Sequence, residues 1–130
     1  KVVKAFGLPE RACAVEFDLD AMIAAAPRGG EVAPISPFPL TKQDVALVVD
    51  YDVPASLVRQ ALVDGAGELL ESIRLFDIYT GPQIADGKKS LAFALGFRAP
   101  DRTLTEAEAA KSRQAAVARA TEVCGAVQRA

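Results

Sequence analysis

Lys88-Lys89-Ser90-Leu91-Ala92-Phe93-Ala94-Leu95-Gly96-Phe97-Arg98 alternates almost without a break. Leu91, Phe93, Leu95 and Phe97 fall on one side, and Ser90, Ala92, Ala94 and Gly96 on the other. A period of two is the signature of a strand. The bulky row belongs in a core. The other row is unusual, because a surface position normally carries charge or a long polar group. A line of Ser, Ala, Ala and Gly leaves the sheet smooth and close to whatever lies on it. That is either a second protein segment packed tightly or a ligand lying on a flat platform.

Composition narrows the field. The chain has 130 residues, 51% hydrophobic and 25% charged, which suits one globular domain. Its longest apolar run, Ala21 to Ala26, is far short of the roughly 18–20 residues a membrane span needs. Net charge is −2, which argues against a broad phosphate-tracking surface but allows a few exposed bases to be read by stacking. There is no histidine, so Ser-His-Asp and Cys-His catalysis are excluded, as are most zinc sites. Cys13 and Cys124 lack CxxC spacing and read as reduced thiols, in keeping with a cytoplasmic location. Lys1 is not an initiator methionine and no signal peptide follows, so the chain reads as part of something longer.

Working outward from the strand, two regions separate. In residues 1–33, Val2 to Phe6 reads as a helical turn, Ala12 to Leu19 as a strand, and Asp20 to Ala25 as a short helix capped by Asp20. Pro27, Gly29 and Gly30 then break the chain. Ala33 to Leu40 holds three prolines and reads as a stiff connector, so a domain is expected over residues 34–130. Within it, Asp44 to Asp50 alternates as a strand. Pro54 suits the first position of a helix with a stripe of Leu57, Val58, Ala61 and Leu62, closed by Gly65 and Gly67. Leu69 to Tyr79 is a second strand of imperfect alternation, with Ile73 and Leu75 on one face and Arg74, Phe76 and Ile78 on the other. A bulge would switch the side of Tyr79. Residues 81–87 form a turn into the opening strand. Thr105 to Glu108 is a capping box for a helix whose face is Ala110, Val117, Ala120 and Cys124, ended by Gly125. Ala126 to Arg129 reads as a short last strand.

Strand, helix, strand, strand, helix, strand is the split βαβ pattern. The expected fold is therefore α+β: a ferredoxin-like βαββαβ sandwich, a four-stranded antiparallel sheet with two helices on one face. Its first and third strands are central neighbours, so Ala46 and Val48 lie beside Ser90, Ala92 and Ala94. RNA-binding domains of this topology stack bases on the open face, usually on aromatics of the central strands. Here those positions are small, so a stacking ring must come from the adjacent strand. Tyr79 and Phe76 are the candidates, and Tyr79, near a strand end with a hydroxyl to satisfy, is the better one.

Four segments in order carry a family resemblance: Phe38-Pro39 with Gln43 to Val49, Glu71 to Tyr79, Gly87 to Phe93, and Asp101 to Thr105. Together they resemble the ferredoxin-fold anticodon-binding domain that ends the bacterial phenylalanyl-tRNA synthetase β chain. Residues 1–33 are similar to the end of the catalytic-like module before that domain. The resemblance implies a parent α2β2 ligase that uses ATP and Mg²⁺, with the present chain holding no cofactor, no metal and no catalytic residue. It implies a tRNA partner, gripped at the anticodon stem-loop and chiefly at its first anticodon base, an α-subunit partner in the assembly, and no membrane. Carried onto this sequence, Tyr79 and Ala46 sandwich the base, with Ser90 and Ala92 at its edge and sugar. Phe76 is a second aromatic candidate, and Lys88, Lys89 and Arg98 are candidates for phosphates. Gln43 departs from the arginine many relatives carry, removing one such contact.

Two other readings share the topology: an amino-acid-binding regulatory module that would dimerise, and a structural cap without RNA contact. The fold hosts all three, and the motif set favours the first. Gly65-Ala66-Gly67 follows a helix instead of opening one, so it does not form a phosphate loop.

Overall fold

The computed structural model describes residues 2–9, 11–26 and 35–129. The chain divides into two compact units, residues 1–34 and 35–130. The first contains two short helices, α1 (Val2–Ala5) and α2 (Leu19–Ala25), neither with a buried residue. The expected strand over Ala12–Leu19 does not form. Among the described residues its alternation finds no neighbouring strand to bond, and Asp18 instead caps α2 by accepting a hydrogen bond from Ala21 N at 3.0 Å. The cap therefore sits two residues before the expected Asp20. The break at Pro27 to Gly30 and the start of the connector at Ala33-Pro34 lie outside the described residues.

The second unit runs β1 (Thr41–Asp50), α3 (Ala55–Ala66), β2 (Leu70–Tyr79), β3 (Lys88–Phe97), α4 (Glu106–Cys124) and β4 (Val127–Gln128). Its four strands form one antiparallel sheet in the order β2-β3-β1-β4, the ferredoxin-like α+β arrangement. β1 begins three residues before the expected Asp44, because β3 pairs with it all the way to Thr41 opposite Phe97. Val45, Leu47 and Val49 of β1 and Leu91, Phe93, Leu95 and Phe97 of β3 are all buried. They form one core with Val58, Ala61 and Leu62 of α3 and Ala109, Ala116 and Ala120 of α4. The bulky rows therefore lie under the helices.

The helices differ from expectation in detail. Leu57 is half-exposed and Ala66 completes the α3 stripe. On α4, Ala109 and Ala116 take the buried places expected of Ala110 and, in part, Val117. Pro54 is the N-cap of α3 and not its first residue. Gly65 lies inside α3, where it does not end the helix but allows the two helices to touch. A Cβ there would stand 2.6 Å from Arg119 Cβ, 2.7 Å from Ala115 O and 2.8 Å from Ala116 Cα. The capping box forms fully: Thr105 Oγ1 accepts from Glu108 N, and Thr105 N donates to Glu108 Oε2 at 3.0 Å. Arg102 grips the same carboxylate with two bonds of 3.0 and 2.6 Å. Arg102 and then Thr105 hold the Glu108 carboxyl down to about 2. Cys124 is unpaired, and burial pushes its thiol pKa up, so it is a packing residue.

Candidate nucleic-acid interface

Residues directly opposite in an antiparallel ladder share a face, so the register maps the open side. β3 contributes Ser90, Ala92, Ala94 and Gly96. β1 sets Val48, Ala46, Asp44 and Lys42 against them in that order. Beyond β3, Tyr79 stands opposite Ser90, Asp77 opposite Ala92 and Arg74 opposite Ala94. Beyond β1, Val127 stands opposite Val48. The floor of this face, from Ser90 to Ala94 and across to Ala46, has no side chain longer than an alanine or a serine.

Tyr79 reaches the floor because β2 is irregular. The ladder shifts between Leu75 and Asp77, leaving Phe76 as the extra residue. Ile73 and Leu75 face the helices opposite Leu95 and Phe93. Past the bulge the parity inverts, and Tyr79 joins Ser90 on the open side. The same inversion moves Ile78 to the helix side, opposite Leu91, and not beside Arg74 as its spacing implied. Ile78 stays exposed there, near the end of the strand.

A residue the sequence reading did not single out completes the site. Arg129 donates its backbone N–H to Ala46 O at 2.8 Å, extending β4 along β1. Its guanidinium carbon lies 5.7 Å from the centroid of the Tyr79 ring, within cation–π range. It also donates to Gln83 Oε1 at 2.6 Å. Tyr79 and Arg129 start from strands at opposite edges of the sheet. For their ends to meet, both must reach over β3 and β1, and they do so above the small floor. Ser90, beneath, is buried. Gly81 fixes the other side of the ring, since a Cβ there would stand 2.6 Å from Tyr79 Cζ and closer still to its hydroxyl. The signal for Arg129 was available in outline. β4 must lie beside β1 in this topology, and every second residue of it faces the floor. Two paired residues are too few for the sequence to fix which ones.

The remaining candidates separate. Lys88 lies on the open side beside Ser90, but its Nζ is bound to Asp50 Oδ1 at 2.6 Å. Lys89 has the opposite parity. It stands opposite Val49, donates to Tyr51 O at 2.6 Å and lies 5.4 Å from the Tyr51 ring, away from the floor. Arg98 is eight residues from Ser90, roughly 27 Å along an extended strand. Its Nε is 3.0 Å from Glu71 Oε2, without the angle of a hydrogen bond, so the pair is ionic. The structure therefore brings Tyr79, Ala46, Ser90 and Ala92 together, and with them Arg129 and Gln83. Phe76 stands further along the same face. Among the described residues no group of three or more Cys, Asp or Glu is placed to hold a metal, and no helix is long and apolar enough to cross a membrane.

Comparison with known proteins identifies the family of the second unit. The sequence profile of the ferredoxin-fold anticodon binding domain matches residues 36–129. The phenylalanine–tRNA ligase beta subunit of Cutibacterium acnes is 66% identical over 125 residues, covering 96% of this chain and 15% of that protein. The beta subunits of Thermobifida fusca and Mycobacterium leprae are 57% and 54% identical over 99% and 98% of the chain, again 15% of each relative. The chain thus spans about a seventh of the length of these relatives. With a matching profile over nearly the whole second unit and relatives this similar from end to end, the chain belongs to the ferredoxin-fold anticodon binding domain family.

Proposed function

We propose that the slot between Tyr79 and Ala46 receives the first anticodon base of the phenylalanine tRNA. In this reading the chain is the anticodon-binding end of a phenylalanine–tRNA ligase beta subunit. The observation that carries it is the meeting of Tyr79 and Arg129 over a floor of Ala46, Ala92 and Ser90, in a chain of an anticodon-binding family.

The chemistry follows from the layout. Tyr79 stands opposite Ser90, and Ser90 opposite Val48, so Ala46 lies two strand spacings across and one two-residue step along from Tyr79, roughly 12 Å, with Ser90 and Ala92 between. A planar base enters that gap, one face on the phenol ring and the other against the alanine methyl. Stacking on an aromatic is worth roughly 1–3 kcal/mol per base. The Ser90 hydroxyl, buried beneath Tyr79 and Arg129, donates to or accepts from the base edge once Arg129 gives way to the base. Arg129 already approaches the ring and supplies the cation of the slot, a role Lys89 cannot take from the other side of the sheet.

Nothing in this reading asks the chain to perform chemistry. Phenylalanine activation, with ATP and Mg²⁺, belongs to other parts of a cytoplasmic α2β2 ligase that pairs this subunit with an α subunit. Residues 1–33 then close the catalytic-like module ahead of the domain. The test is Tyr79→Ala in the complete ligase. The KM for tRNA rises by roughly tenfold or more, while tRNA-independent activation of phenylalanine is unchanged. An unchanged KM would favour the structural-cap reading.

A further inference from the structure

The open face continues past the Tyr79 slot. At its other end lies a groove of about 490 Å³, bordered by Leu40, Lys42, Asp44, Arg74, Phe76 and Gly96. Its aromatic wall exists because of the β2 bulge, which leaves Phe76 without a ladder partner and 47% exposed. An exposed phenylalanine on a sheet calls for an explanation, since burial of such a ring is normally favoured by about 1.5–3 kcal/mol. Arg74 already lies over the ring, the guanidinium carbon 6.0 Å from its centroid. The groove floor is Ala94, one step of two residues from Ala92, roughly 7 Å along the strand. The two sites therefore share one unbroken small-residue floor.

Charge identifies the occupant. Lys42 and Arg74 flank the groove, and among the described residues neither has a carboxylate within 4.0 Å. Asp44 and Arg74 stand on either side of Ala94 without pairing. The groove thus offers a ring to stack on, two cations without a carboxylate partner among the described residues, and one acceptor. A protein segment covering this face would leave those cations facing it, whereas a nucleotide brings a base for the ring and a phosphate for the cations.

We propose that this groove is a second nucleotide subsite. It takes the loop nucleotide next in the chain to the base on Tyr79, with its base on Phe76, its phosphate on Lys42 and Arg74, and its base N–H groups toward Asp44. The proposal rests on the reading of Tyr79 given above.

The experiment uses the complete ligase and three tRNAs: the intact one and two that lack a single base, immediately before or immediately after the first anticodon position. Phe76→Ala raises the KM for intact tRNA by roughly fivefold to a hundredfold. Phe76→Tyr, which keeps a stacking face, restores it. Against one of the two abasic tRNAs, Phe76→Ala costs nothing further, while Tyr79→Ala costs its full factor. If Tyr79→Ala raises the KM and Phe76→Ala does not, the second subsite is refuted and the first stands. If Phe76→Ala costs the same factor with both abasic tRNAs, the groove meets something other than that nucleotide, such as a protein segment, and the proposal falls. If Tyr79→Ala is also silent, both readings fall together.

Discussion

Gly81→Ala separates the position of the Tyr79 ring from the stability of the fold. Gly81 carries no positive φ, so its backbone accepts an alanine. The added methyl conflicts only with the end of the Tyr79 ring, at 2.6 Å from Cζ where 3.4–4 Å is ordinary contact. Tyr79 is half-buried and its ring can turn about χ1, so the clash is relieved by a retreat of about 1 Å, a scale on which misplacement is costly to a positioned group. The fold should lose little, within about 0.5 kcal/mol, as for other surface changes. The stacked base should lose part or all of its roughly 1–3 kcal/mol, which is about 5- to 150-fold in tRNA affinity at tenfold per 1.4 kcal/mol. Urea unfolding of the variant chain and tRNA binding by the ligase carrying Gly81→Ala give the two numbers. Equal affinity for tRNA with a stable fold would refute the idea that Gly81 sets the ring against a base. A large loss of stability would refute the claim that only the ring has to move.

Two further predictions concern what holds the platform in place. Gly65→Ala should gain about 1 kcal/mol in helix propensity but lose about 1–3 kcal/mol to overpacking, because two of the three atoms it meets are backbone and cannot rotate away. A net fall in melting temperature is therefore expected, at about 4–8 °C per kcal/mol lost, and a rise would contradict the close helix contact. The Glu108 carboxyl, held from 4.5 to about 2 by Arg102 and Thr105, lies below its unfolded value. Its contribution to stability is present above pH 4.5 and is lost as pH falls from there towards 2. Glu108→Gln should flatten the loss of stability between pH 5 and pH 2, read by denaturant titration at several pH values, and an unchanged slope would contradict the pairing.

The sheet was legible because β3 is nearly pure in both of its rows. Four bulky residues on one parity and four small ones on the other leave only one orientation against a core. The capping box was legible because Thr105 and Glu108 need only local geometry. Where a residue depended on partners far away in sequence, reading failed. Ala12 to Leu19 alternates as well as many strands do, but among the described residues no neighbouring strand bonds it, and Asp18 takes the adjacent helix end. The irregular spacing of β2 announced a bulge and the turn of Tyr79 to the open side. That Ile78 would cross over with it follows only once the shift is located at Phe76. Gly65 looks like a helix stop in sequence, and the approach of α4 that it permits is a tertiary fact. Arg129 was missed for the same reason. Its role depends on which way a strand of two residues faces and on a tyrosine fifty residues earlier.

The most direct test of the account is a binding cycle. The complete ligase and its Tyr79→Ala variant would each be titrated with intact tRNA and with tRNA lacking only the first anticodon base. If that base lies on Tyr79, each change alone weakens binding by about the same factor, and the two together weaken it no further than either one. If the two losses multiply, Tyr79 and the first anticodon base act independently, and the slot between Tyr79 and Ala46 is not where that base lies.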